Sequence, residues 1–356
     1  MLRVCHVSPT YFAPESLLGG GERFAEELAR AMAASHEVDE VKLVSFGPRA
    51  FRDSPAPGFE RVVLRSWSRQ KMVPFSPRLW RELRGADVIH CHQYFVLPTF
   101  LAALQGKLQR SRVFVTDLGG GAWTPGFQID QSRWIEAHLP LSEYAARHLH
   151  GKNRRHRVIY GGVDLERHPM RRAPEHDGSV VFLGRLLPHK GVHILLEGLP
   201  AGMTLHVIGP AVDAGYLERL RALAAGKDVH FHHGLGDPEV VSFLQRAMAL
   251  VHPTPVDAMG SAGVHELLGL APLEAMACGC PVVASAAASL PEVVEDDVTG
   301  LLVPPNDPAA LGRALERLRA APEDWARMSA AARRRVEDRF TWPQVAARCL
   351  EAYGLS

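Results

Sequence analysis

The stretch HELLGLAPLEAMACGCPVVAS, residues 265 to 285, sets two carboxylates, Glu266 and Glu274, with seven residues between them. A carboxylate accepts from two neighbouring hydroxyls at once, which suits a ribose diol at Glu274 and a hexose at Glu266. Pro272 fits the first position of a helix, Glu274 then falls in its first turn, and Gly279 ends it before the strand PVVAS. On that reading the backbone N–H groups of Gly269, Leu270 and Ala271 face the same space as both carboxylates, so phosphate meets the amides and sugar hydroxyls meet the glutamates. The same spacing also suits a glutamate that favours a helix dipole beside a solvated one, worth about 1 kcal/mol at most.

Further back, VVFLGRLLPHKG ends a strand and then presents Arg185 and Lys190. Two cations at a strand's carboxyl end neutralise a diphosphate, Arg by a two-pronged hydrogen bond and Lys as a point charge. Standing alone they read equally as solvated surface cations. After the first strand, Gly19, Gly20 and Gly21 directly precede the helical pattern ERFAEELARAMAA. Glycines there let N–H groups approach an anion while the helix start supplies unpaired donors, although a triple glycine also makes a flexible turn. Its spacing is neither G-x-G-x-x-G nor a Walker A loop. Taken together, the three groups point to a bound diphosphate.

The elements that must hold these residues are short apolar runs alternating with helical patterns: RVCHV, VKLVSF, DVIHCH and VFVT, then VVFLG, LHVIG, VHFHHG, ALVHPT and PVVAS. That alternation predicts βαβ units and an α/β fold of two Rossmann-like, doubly wound parallel-sheet domains. Charge and proline without apolar period at RHPMRRAPEHDGS (167 to 179) mark the boundary. The expected domains are 1–167 and 168–338, with a helical segment at 339–356, and a cleft between two such domains is the default site. The chain of 356 residues balances 40 Lys plus Arg against 39 Asp plus Glu, which excludes nucleic acid bound by bulk charge. Five cysteines, odd in number and mostly within apolar runs, read as reduced thiols of a cytoplasmic protein, Cys278-Gly-Cys280 included. No signal-peptide pattern opens the chain, and the longest apolar run, Tyr94 to Leu104, is too short to span a bilayer.

The 266–274 segment resembles the E-x7-E signature of the retaining family 4 glycosyltransferases of the GT-B fold. Other blocks are similar to that family's landmarks in the same order: GGGE at 19 to 22, DVIHCHQ at 87 to 93, VIYGGVDLERHP at 158 to 169, GRLLPHKG at 184 to 191, VHFHHGLGD at 229 to 237, PVVASAAASLPEVVEDDVTGLLVPPND at 281 to 307, and FTW at 340 to 342. Nearly the whole chain is covered. The resemblance implies a nucleotide-diphosphate-sugar donor held mainly by the second domain and an acceptor (glycan, glycolipid or small glycoside) held by the first. It implies Arg185 and Lys190 as the diphosphate pair, Glu274 as the ribose binder and Glu266 as the glutamate near the donor sugar. Gly20 and Gly21 match the loop that closes over the phosphates, and Leu235 lies where backbone meets the base. It also implies a final helix that crosses back onto the first domain, retention of configuration with the leaving diphosphate taking the acceptor proton, and UDP ahead of GDP on family frequency. Alternatives on the same scaffold are a sugar-nucleotide epimerase or hydrolase, or a catalytically weak regulatory partner of a related transferase.

The chain departs from the family where many members carry a His after the strand VFVT. Here Thr116-Asp117-Leu118 is followed by Gly119, Gly120 and Gly121, so Asp117 is a candidate for a sugar-hydroxyl contact, and weakened activity is the other consequence. No Asp-x-Asp pair stands at a strand end, so neither metal nor cofactor is expected. His90 with His92, and His230 with His232, share strand faces and invite a zinc reading. No carboxylate or cysteine completes either set, so alternation at the cleft is the expectation, with His92 a candidate ligand contact. Segment 65–84 carries Arg65, Arg69, Lys71, Arg78, Arg81 and Arg84 with Trp67, Met72, Phe75 and Trp80 among them. It suits peripheral contact with an anionic membrane, at the inner face of the cell membrane, or else a solvated loop and helix whose aromatics enter the core.

Overall fold

The computed structural model describes residues 2–11, 20–68, 73–118, 130–149, 151–170, 175–256 and 266–354. Gly19, Arg69, Lys71, Met72 and Gly119 to Gly121 lie outside the described residues. In chain order the elements are β1 (Arg3–Tyr11), α1 (Gly20–Ala33), β2 (Glu40–Gly47), β3 (Phe51–Ala56), β4 (Phe59–Arg65), α2 (Leu79–Glu82), β5 (Val88–His92), α3 (Leu97–Gln109), β6 (Arg112–Thr116), β7 (Ala137–His138) and α4 (Glu143–Ala146). There follow β8 (Val180–Leu183), α5 (Val192–Gly198), β9 (Leu205–Ile208), α6 (Ala214–Ala224), β10 (Val229–His232), α7 (Asp237–Arg246), β11 (Ala249–His252), α8 (Leu270–Ala277), β12 (Val282–Ser285), α9 (Leu290–Val293), β13 (Gly300–Val303), α10 (Pro308–Ala320), α11 (Pro322–Arg339) and α12 (Trp342–Ala352).

Two compact units result: Met1–Gly162 with Trp342–Ser356, and Val163–Thr341. The first unit thus ends before the charged, proline-rich stretch at 167 to 179. The expected α/β fold of two parallel-sheet domains is what forms. In the first unit the strand order is β3-β4-β2-β1-β5-β6-β7. All its pairs are parallel except β3 with β4, a hairpin whose turn contains Gly58. In the second the order is β10-β9-β8-β11-β12-β13, parallel throughout. Both orders run outward in two directions from a central pair, β1 beside β5 and β8 beside β11, and that switch point is where open α/β sheets take ligands.

Helices cover both faces of the central strands, which is why β11 (Ala-Leu-Val-His) and β12 (Val-Val-Ala-Ser) are buried at every position. Helix α1 buries Phe24, Ala25, Leu28, Ala29 and Met32, a stripe at helical spacing, while Glu26 at its flank pairs with Arg30 and Arg61. Helix α12 packs on α1 within the first unit, with Trp342 edge-to-face on Phe24 at 5.3 Å. Asp213 and Asp307 cap α6 and α10 by accepting from Tyr216 N–H and Ala310 N–H, each worth about 1 kcal/mol.

Candidate functional site

At the switch point of the second sheet, β8 runs into Gly184 and Arg185, and the chain then makes a 3-10 turn over Pro188–Lys190 that Gly191 closes in the left-handed region, φ 73°. Only glycine fits there: a Cβ on Gly191 would lie 1.8 Å from the carbonyl oxygen of Pro253, just beyond β11. That close approach brings Lys190 up to the end of β11. Lys190 Nζ donates to Glu266 Oε2 at 2.5 Å, and His252 Nε2, from the last residue of β11, sits 2.9 Å from the same oxygen. The two partners are mostly enclosed, with 19% of the Lys190 side chain and 13% of that of Glu266 exposed; His252 is buried.

Burial pushes the Glu266 carboxyl up, but the Lys190 ammonium and the His252 hydrogen bond outweigh it and hold it well below the usual carboxylate range. Glu266 is therefore an acceptor at neutral pH. Its backbone is pinned too, because Ser289 Oγ donates to Glu266 O at 2.8 Å. Around this pair three buried polar atoms have no partner among the described residues: His252 Nδ1, Thr254 Oγ1 and His189 Nε2. Burial, with the neighbouring charges of Lys190 and Arg185, holds His189 below its ordinary value, so it stays neutral. Buried polar groups without partners each cost about 1–3 kcal/mol, and several in one place are what a polar ligand would satisfy.

Arg185 is exposed on the same loop and makes no ion pair among the described residues. Gly269 precedes α8 in the left-handed region, φ 89°, so the helix starts at Leu270 and not at Pro272 as the sequence suggested. Gly269, Leu270 and Ala271 thus hold the helix-start positions whose N–H groups have no partner within the helix. Glu274 is the fifth residue of α8, half-buried and past the first turn, so a helix-start dipole effect no longer explains it. Leu235 lies half-buried in the loop between β10 and α7.

In the first unit, Gly20 and Gly21 open α1, and a Cβ on Gly21 would contact Leu118 at 3.6 Å, so the glycines and Asp117-Leu118 meet at the carboxyl end of that sheet. Asp117 is half-buried directly after β6. His252 and Thr254 were missed from the sequence; the signal was a histidine at the last position of a buried strand followed by Pro253. His90 and His92 also gain a third ring, His6 of β1, whereas His230 and His232, with His206 beside them, form no metal-ligating set among the described residues.

Residues 166–335 match the family described as Glycosyl transferases group 1, and residues 18–167 match Glycosyltransferase Family 4. The chain is 28% identical over 351 residues to a glycogen synthase of Mycobacterium tuberculosis, covering 92% of this chain and 80% of that one. It is 34% identical over 219 residues to a D-inositol 3-phosphate glycosyltransferase of Saccharomonospora viridis, covering 55% of this chain and 49% of that one, so it spans about half that relative's length. In fold it is similar to HepE of Anabaena, solved in complex with UDP and glucose, with a TM-score of 0.77, 17% identity, and coverage of 99% and 100%.

Proposed function

The chain belongs to the group 1 and family 4 glycosyltransferases of the GT-B type, whose two matches together run from residue 18 to residue 335, and on that footing we propose that it transfers a hexose from a nucleotide-diphosphate-sugar, UDP ahead of GDP, to a glycan, glycolipid or small-glycoside acceptor. The single observation that carries this reading is the grouping of Lys190, Glu266 and His252 at the switch point of the second sheet, beside the start of α8. The second unit takes the donor and the first takes the acceptor. UDP is favoured because a protein of like fold was solved with UDP and glucose.

The transfer proceeds with retention. Negative charge grows on the leaving diphosphate, and Arg185, Lys190 and the α8 N–H groups stabilise it without a metal. Glu266 orients the sugar, Glu274 the ribose diol, and Leu235 lines the base; Gly20, Gly21 and Asp117 serve the phosphate and acceptor side. In the free chain Lys190 is clamped by Glu266, so its charge is already aligned when the donor arrives. Donor consumption with and without an acceptor panel, with the product anomer read by NMR, tests the reading. Acceptor-dependent consumption with a retained anomer supports it; consumption that ignores the acceptor, or an inverted product, refutes it.

We further propose a cytoplasmic protein that meets an anionic membrane through residues 65–84. All five cysteines are free and buried, as a reducing compartment permits. Trp67 and Trp80 are 69% and 40% exposed, beside exposed Arg65, Arg78, Arg81 and Arg84, so these two tryptophans do not enter the core. Among the described residues no helix is long and apolar enough to cross a membrane.

A further inference from the structure

On the glycosyl-transfer reading above, on which this step rests, we propose that His252 is a positioning residue: it holds the Glu266 carboxylate in place for the donor sugar while Lys190 serves the diphosphate. Glu266 is fixed at both ends. Its backbone carbonyl accepts from Ser289 Oγ at 2.8 Å, and its Oε2 accepts from Lys190 Nζ at 2.5 Å and from His252 Nε2 at 2.9 Å. No contact among the described residues uses Oε1, which leaves that oxygen for a sugar hydroxyl.

Of the two donors to Oε2, His252 is the one built into the sheet. It is the last residue of β11, lies in register with Ala284 of β12, and is 3% exposed. Pro253 restricts it to extended backbone, and the Pro253 carbonyl is the group that Gly191 approaches as it closes the Lys190 turn. Lys190, by contrast, carries three donors on a flexible four-carbon stem, so its charge can be shared between the carboxylate and an arriving phosphate. As negative charge grows on the leaving diphosphate, Lys190 is drawn towards it. The imidazole has no second duty and keeps Glu266 where it is.

The protons are placed by the same contacts. Glu266 is held ionised, because Lys190 and His252 outweigh its burial, so the proton between Glu266 and the imidazole sits on His252 Nε2. His252 Nδ1 is then a bare acceptor, buried and without a partner among the described residues. An unpaired buried acceptor is costly, and the three residues before it in β11, Ala249, Leu250 and Val251, fill their places with apolar side chains at no such cost. Packing alone does not account for an imidazole at this position; its Nε2–H on Glu266 does.

The test compares His252→Asn with His252→Gln. The Gln amide nitrogen reaches as far as Nε2 and can donate to Glu266 Oε2, whereas the Asn amide is one methylene too short. Donor consumption is measured with UDP-glucose, or with GDP-mannose if the wild type takes that donor instead, and affinity for UDP or GDP by calorimetry. His252→Asn should lower kcat about ten- to a hundredfold, as loss of a hydrogen bond to a charged, orienting group does, with KM nearly unchanged and nucleoside-diphosphate affinity within about twofold of wild type. His252→Gln should recover most of that rate. If His252→Asn does not fold, the imidazole nitrogen NMR spectrum of the wild type decides: a proton on His252 Nε2 and a bare Nδ1, both persisting with saturating UDP or GDP, support the proposal. Equal rates in the two variants, a fall in nucleoside-diphosphate affinity that matches the fall in rate, or a proton on Nδ1 would overturn it. A wild type that consumes no nucleotide sugar is a separate failure, that of the function reading, and the proposal falls with it.

Discussion

Lys190→Met separates two effects that the Lys190–Glu266 contact combines. The substitution keeps the side-chain length and removes the ammonium that sits 2.5 Å from Glu266 Oε2. In the variant the carboxylate keeps only His252 in an enclosure that leaves 13% of its side chain exposed. Removing one partner of such a pair costs about 3 kcal/mol of stability, because an uncompensated charge stays behind. Adding Glu266→Gln removes that charge while its amide oxygen still accepts from His252 Nε2, so the double variant should regain most of the loss. Turnover should not recover: without the cation the leaving diphosphate loses roughly 3 kcal/mol of stabilisation, a factor of about a hundred in rate. Urea unfolding gives the first quantity and donor consumption the second. A double variant as unstable as Lys190→Met would refute the electrostatic account of the pair, and wild-type turnover in either variant would remove Lys190 from the mechanism.

Gly191→Ala should cost about 3 kcal/mol or more and abolish nucleoside-diphosphate binding, since its Cβ would meet the Pro253 carbonyl at 1.8 Å in a left-handed conformation; thermal unfolding with and without nucleotide checks it. Stability should fall as pH drops below about 6.5. There the unfolded chain protonates histidines that burial keeps neutral in the folded one, His6 down to about 3, at about 1.4 kcal/mol per pH unit for each ring; urea midpoints at pH 7 and pH 5 measure it, and a flat profile would contradict it. Arg81→Ser with Arg84→Ser should weaken binding to phosphatidylserine vesicles by about 2 kcal/mol and leave neutral vesicles unaffected; wild-type indifference to anionic lipid would end the membrane proposal.

Nine strands were legible as short apolar runs, most plainly where helices cover both faces of the parallel sheet, as at β11 and β12. The hairpin of β3 and β4 was not, since β3 is an exposed edge strand with no apolar pattern. The start of α8 was misread for a local reason: Pro272 fits a first helical position, but a left-handed Gly269 opens the helix earlier. Within the candidate site, Lys190 and Glu266 were legible as charged residues beside turn signals. Their direct contact was not, because it depends on Gly191 touching Pro253 across two strands. His6 is the clearest loss. It lies 84 residues from His90 in the chain, and only the β1–β5 pairing makes them neighbours.

The central claim is that a diphosphate is gripped at the switch point of the second sheet, and thermal unfolding with a panel of nucleoside diphosphates tests it most directly. At 100 times its dissociation constant the right nucleotide should add about 2.7 kcal/mol to the wild-type chain, and much less to Lys190→Met. A panel in which no nucleoside diphosphate stabilises the wild type, or in which the winning one stabilises Lys190→Met equally, would contradict it.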